Sequence, residues 1–196
     1  MNTKYIWLLV ILLGFTACND IEDVLIDNNI DTTIEELPAL SAGSADFSKF
    51  VALGASFSAG YTDGALFIQS QENSFPNMLA QQFANIGGGS FTQPLMNDNI
   101  GGLIFGTTVV RNPRLYFDGK GPALLPATPT TDVTANLGAV FNNVGVPGAK
   151  STHIDFNGYA SLNAYFGRMA TSASISMLEY AIAQNPTFFS LSEIGG

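Results

Sequence analysis

Beyond the N-terminal segment, apolar positions along this chain fall into three strand-like stretches and two helically spaced sets. Phe50-Val51-Ala52-Leu53 ends at Gly54 and is too short and too β-prone for a helix, so it predicts a buried strand. Ala139 to Val144 reads as a second strand, leading into the turn Gly145-Val146-Pro147-Gly148. Thr187 to Leu191 reads as a third, apolar enough to be central in a sheet. Between the runs, Phe75, Leu79 and Phe83 repeat on one helical face behind Ser74 and Pro76, and Gly87-Gly88-Gly89 stops that helix. Ile175, Leu178, Ala181 and Ile182 share a face within a helical stretch from Ser172 to Gln184, with serines at 172, 174 and 176 as caps and Asn185-Pro186 as the stop. Strand, helix, strand, helix, strand with crossovers of this length predicts an α/β fold, an open parallel sheet with helices on both faces and right-handed connections.

Two regions break the rhythm. Phe57 to Ser70 is turn-rich, with a bend at Tyr61-Thr62-Asp63-Gly64. Residues 90–137 are punctuated by Pro94, Pro113, Pro122, Pro126 and Pro129, with Leu103 to Val110 as one possible edge strand. Phe91, Phe105, Leu115, Tyr116 and Phe117 make this insertion too apolar for disorder, and a loop of that length beside a sheet edge is expected to shape an acyl or sugar pocket.

Charge divides the chain. Residues 19–46 hold eight of the sixteen acidic residues and no Lys or Arg, which predicts a mobile acidic tether. The formal charge of −9 is therefore mostly tether, and residues 47–196 carry about −2. Without a basic patch, nucleic-acid binding is not expected. Ahead of the tether, Lys4 and the apolar run Ile6 to Leu13 have the form of a signal peptide covering residues 1–17, well short of a membrane span. Phe15-Thr16-Ala17-Cys18 resembles a bacterial lipoprotein cleavage box, and Cys18 is the only cysteine. That reading gives lipidation at Cys18 and a cell-envelope protein held by a lipid anchor, the outer membrane being the expected address. An ordinary secretory peptide with an incidental cysteine is the alternative.

The strand over Phe50–Leu53 ends in small residues, Gly54-Ala55-Ser56-Phe57-Ser58-Ala59-Gly60, which lifts Ser56 to the carboxyl edge where open α/β sheets keep their ligands. A serine there is a nucleophile if a base reaches it, and a plain Gly/Ser turn if none does. The heptapeptide resembles the first block of the GDSL/SGNH serine hydrolases, with Ala55 where that family has Asp. Asn143-Val144-Gly145-Val146-Pro147-Gly148-Ala149 resembles its second block, and Thr187 to Gly196 runs toward its third, so the likeness spans residues 49–196. It implies an SGNH/flavodoxin-like three-layer sandwich, with Ser56 as nucleophile and the backbone N–H groups of Ser56 and Gly148 as oxyanion donors. It implies an ester substrate, a lipid or an acylated glycan, with neither cofactor nor metal.

The family's asparagine donor and its Asp-x-x-His base block find no counterpart up to Gly196. The chain is accordingly expected to be the N-terminal portion of such an enzyme, cut after the third strand and inactive alone. His153, the one histidine, receives no role from the resemblance and reads as a polar loop residue. Glu193 stands where an apolar side chain would be more at home. A non-catalytic ligand- or glycan-binding lipoprotein on the same scaffold is the competing expectation.

Overall fold

The computed structural model describes residues 39–193. The signal peptide over 1–17, the lipidation site Cys18 and the tether before residue 39 lie outside these residues, as do the last three residues of the expected third block. Residues 39–46, the end of the expected tether, are almost entirely exposed, and the first side chain to join a core is Phe47. Its ring stacks on Phe83 at 4.1 Å and meets Phe188 edge-on at 4.8 Å.

The chain is mixed α/β. A small parallel open sheet of three strands packs against helices: β1 (Phe50–Gly54) lies in the middle, β6 (Asn143–Gly145) on one side and β7 (Phe188–Ser192) on the other. Every residue of β1 is buried, as an unbroken apolar run requires when both faces of a strand are covered. Its side chains alternate between two cores. Phe50 and Ala52 join Ala80, Phe83, Phe91 and Phe188, whereas Val51 and Leu53 join a larger cluster with Val144, Val146, Phe166, Met177 and Tyr180. Each large apolar side chain so buried contributes roughly 1.5–3 kcal/mol relative to exposure.

Register brings the three strand ends level. Gly54 pairs with Gly145 on one side and with Ser192 on the other, so the segments that follow leave one edge of the sheet together. Gly54 must be glycine for close packing, since a Cβ there would sit 2.1 Å from Ser58 Oγ and 2.8 Å from Ser192 Oγ. Gly145 is constrained in the same way by the Ala59 amide, 2.3 Å from where its Cβ would be.

Helix α1 (Ser56–Ala59) is a single turn ended by Gly60 in the left-handed region, and α2 (Ile68–Glu72) follows the bend at Asp63-Gly64. Helix α3 (Phe75–Ala84) has Ser74 as N-cap residue and Pro76 in its first turn, as its spacing predicts. Its buried face differs from the expected one: Pro76, Ala80 and Phe83 face the sheet, while Leu79 is 37% exposed. The small Ala80 lets the helix approach Phe50 and Ala52, which rotates Leu79 outward.

The insertion over 90–137 forms two antiparallel hairpins. The first pairs β2 (Leu103–Phe105) with β3 (Thr108–Arg111), and the second pairs β4 (Leu115–Phe117) with β5 (Pro122–Leu124). Leu103 to Val110 is thus a hairpin turning at Gly106, not one strand. Side chains clamp the insertion to the domain. Asp98 accepts from the Ile100, Gly101 and Thr130 amides and from the Thr130 hydroxyl. Gln71 bridges Pro94 and Met96, and the buried Arg168 donates to the Leu95 carbonyl at 2.8 Å.

Strand β6 is shorter than Ala139–Val144 and begins only at Asn143, because residues 139–142 do not pair with β1 along their length. Two 3₁₀ turns (Ser151–His153 and Tyr159–Ser161) and α4 (Ala164–Gly167) precede α5 (Met177–Ile182), whose cap is Ser176 in a capping box with Glu179. The helical stretch is thus shorter than Ser172–Gln184. Among the described residues strand β7 pairs with β1 alone, and β1, not β7, holds the central place of the three. Phe189 is 65% and Leu191 59% exposed, beside an apolar groove of about 620 Å³ that Val51, Leu53 and Leu178 also line. Ile182 borders that groove and is exposed rather than in the helix's buried set.

Candidate functional site

Ser56 and Gly148, singled out by sequence, line one cleft of about 580 Å³ at the carboxyl edge of the sheet. Ser56 is half-buried as the first residue of α1, two positions beyond the end of β1. Asn143 fixes that turn, its side chain donating to the Ser58 carbonyl at 2.9 Å and accepting from the Gly145 amide at 2.9 Å. Gly148 lies three residues past β6 with φ +84°, a left-handed conformation that glycine adopts without strain.

Neither the Ser56 amide nor the Gly148 amide has a hydrogen-bond partner among the described residues, and neither does Ser56 Oγ. The next two amides of α1 are occupied. Glu193 Oε2 accepts from Phe57 N–H at 2.6 Å and from Ser58 N–H at 3.0 Å. A carboxylate suits this place because the opening amides of a helical turn are otherwise unpaired donors. Glu193 adopts φ +54° to reach them, an uncommon conformation for a residue with a side chain. An apolar residue at 193 would leave the two donors without that acceptor.

His153 lies in the same cleft, half-buried, with its ring stacked on Tyr159 at 4.5 Å. The reading as a mere polar loop histidine is corrected in its location. Its Nδ1 accepts from the Lys150 amide at 3.2 Å, so the neutral ring carries its proton on Nε2 and offers a donor there. A ring held in that tautomer is poorly suited to take a proton from Ser56.

Asn163 was not singled out, yet it organises the Gly148 side of the cleft. Its Nδ2 donates to the Pro147 carbonyl at 2.9 Å and to the Tyr159 hydroxyl at 3.0 Å. Its Oδ1 accepts from the Tyr165 and Phe166 amides as the N-cap of α4. An asparagine ahead of a short apolar stretch is an N-cap signal that sequence could have supplied. The insertion contributes Leu103 and Arg111, and Tyr61, Tyr159 and Tyr165 complete the polar wall. Burial raises the Tyr165 hydroxyl to about 12, so it stays protonated at neutral pH.

Among the described residues, no three His, Cys, Asp or Glu side chains converge closely enough to hold a metal ion, and no helix is long and apolar enough to cross a membrane. Compared with protein-family models, curated proteins and solved structures, the chain matches none of them.

Proposed function

We propose that this chain belongs to a lipid-anchored serine ester hydrolase of SGNH type, built on a flavodoxin-like three-layer sandwich. One observation carries the reading. A half-buried serine hydroxyl and two amides without partners among the described residues, those of Ser56 and Gly148, line one cleft at the level edge of three parallel strands. Ser56 Oγ attacks the ester carbonyl, its proton passing to a base, and the two amides receive the negative charge that develops on the carbonyl oxygen. The alcohol leaves with a proton, and water then releases the acid from the acyl-serine. We assign the base to the Asp-x-x-His block that the resemblance implies, outside the described residues. The substrate is an acyl or acetyl ester of a lipid or glycan, met at a membrane surface to which acyl chains on Cys18 tether the domain.

In a gene product that includes the base block, Ser56→Ala is expected to abolish turnover of p-nitrophenyl acetate and labelling by a fluorophosphonate, with the fold intact. The 196-residue chain alone is expected to be inactive. Turnover that survives Ser56→Ala would overturn the assignment. The anchor is checked separately: Cys18→Ala should move the protein out of the detergent phase, and unchanged partitioning would refute lipidation.

A second reading is favoured by the absence, among the described residues, of any group hydrogen-bonded to Ser56 Oγ: a ligand-binding lipoprotein in which the serine is inert. It predicts no fluorophosphonate labelling even when the base block is present.

A further inference from the structure

We propose that the ester entering this cleft carries an anionic group, a carboxylate or a phosphate, received by Arg111. The inference rests on the functional reading above for the word ester, but its charge argument stands on the cleft alone. Among the residues lining the cleft, Arg111 is the only one with a permanent charge, and none is an Asp or a Glu. Among the described residues, the lining side chains with unspent capacity can all donate. The Arg111 guanidinium bonds only its neighbour's carbonyl, Val110 O at 3.3 Å, among the described residues. His153, its Nδ1 accepting from the Lys150 amide, offers Nε2–H, and the Tyr165 hydroxyl has no partner among the described residues. Tyr61 donates to the Gly64 carbonyl, Asn163 uses both of its side-chain hydrogens, and the Tyr159 hydroxyl accepts one of them. The wall therefore presents a cationic fork and an N–H beside hydroxyls that can also donate, with no carboxylate among them, the pattern that suits an acceptor-rich anion.

The arginine is placed by its backbone. Arg111 pairs with Leu103, which is buried, at the base of the first hairpin. Gly102 approaches so closely that a Cβ there would lie 2.5 Å from the carbonyl oxygens of Arg111 and Asn112. The residue is exposed, so a planar guanidinium fork on a fixed backbone meets incoming ligand with only the long contact to Val110 O to give up.

Binding to the full chain, read by calorimetric titration with matched ester pairs, tests the proposal. Monomethyl succinate is set against methyl butyrate, placing a carboxylate on the acyl side. Monobutyryl glycerol 3-phosphate is set against monobutyrin, placing a phosphate on the alcohol side. In at least one pair the anion should bind about tenfold or more tightly, a preference that weakens as salt rises. Arg111→Gln should erase that preference, Arg111→Lys should retain part of it, and Ser56→Ala should leave it unchanged. Which pair discriminates identifies the source of the anion. Equal binding of anion and neutral partner in both pairs, or a preference that survives Arg111→Gln, would overturn the proposal. Because Ser56→Ala keeps the binding readout, a failure of ester hydrolysis is registered by turnover and labelling, independently of the anion site.

Discussion

Asn163 is the side chain on which the Gly148 half of the cleft depends, and its two ends can be tested apart. Replacement by alanine removes the N-cap of α4, where Oδ1 accepts from Tyr165 N–H at 2.9 Å and Phe166 N–H at 3.3 Å. Loss of a cap costs about 1 kcal/mol. It also leaves the carbonyl of the buried Pro147 without its 2.9 Å donor, which costs a further 1–2 kcal/mol or so. The expected loss of roughly 2–3 kcal/mol corresponds to a melting temperature lower by about 4–12 °C for a domain of this size. Asn163→Asp separates the terms. It keeps the acceptor oxygen for α4 but puts a second oxygen opposite the Pro147 carbonyl. It should therefore lose about half as much stability as the alanine variant, while amide exchange at Gly148 speeds up as much as in alanine. Urea unfolding and hydrogen exchange measure both. An Asp variant as stable as the native chain, with Gly148 exchange unchanged, would refute the idea that Asn163 holds the loop. An Asp variant as unstable as alanine would refute the capping term.

Gly54→Ala should destabilise by about 1–3 kcal/mol, because the new methyl group overlaps Ser58 Oγ and Ser192 Oγ. Adding Ser58→Ala should recover part of that loss, and a double-mutant cycle without favourable coupling would contradict the packing argument. Asp98 responds to pH. Burial disfavours its charged form, but the Thr130 hydroxyl and the Gly101, Thr130 and Ile100 amides outweigh burial and hold it below the ordinary carboxylate value. A depressed folded value means stability fully present above the unfolded value near pH 4 and lost as the pH falls through the folded one. Asp98→Asn should thus cost about 1 kcal/mol at pH 7, with the gap to the native chain closing below about pH 4 in denaturation curves.

What the sequence made legible follows from which features are local. The run Phe50–Leu53 and its glycine identify β1 because burial on both faces leaves no room for a polar residue. Ser56 followed from the end of β1 and Gly148 from the resemblance, and the register that levels Gly54, Gly145 and Ser192 brings both to one cleft. Helix α1 escaped notice because a single turn has no periodicity to detect. Leu79 misled because apolar spacing alone does not weigh the small Ala80, which sets how closely the helix approaches β1. Leu103–Val110 looked like one strand because Gly106 is its sole break. Arg111 carried no local signal at all, since only the hairpin's return brings it to Ser56's cleft. Glu193 seemed misplaced for the converse reason: its partners, the Phe57 and Ser58 amides, are more than 130 residues away.

The central position of β1 also sets a timetable. It is the first strand of the sheet in the chain, yet its pairing partners are Asn143–Gly145 and Phe188–Ser192, and the Lys49 amide reaches Thr187 Oγ1 across 138 residues. At about 5–20 residues per second on a ribosome, β1 waits roughly 7–28 s for its last neighbour to be made. Throughout that interval Phe50-Val51-Ala52-Leu53 has two unpaired edges and no charge. The same continuity of apolar side chains that secures the strand in the finished sheet makes the nascent chain a client for holding factors, and the turn that carries Ser56 becomes one of the last parts to take shape.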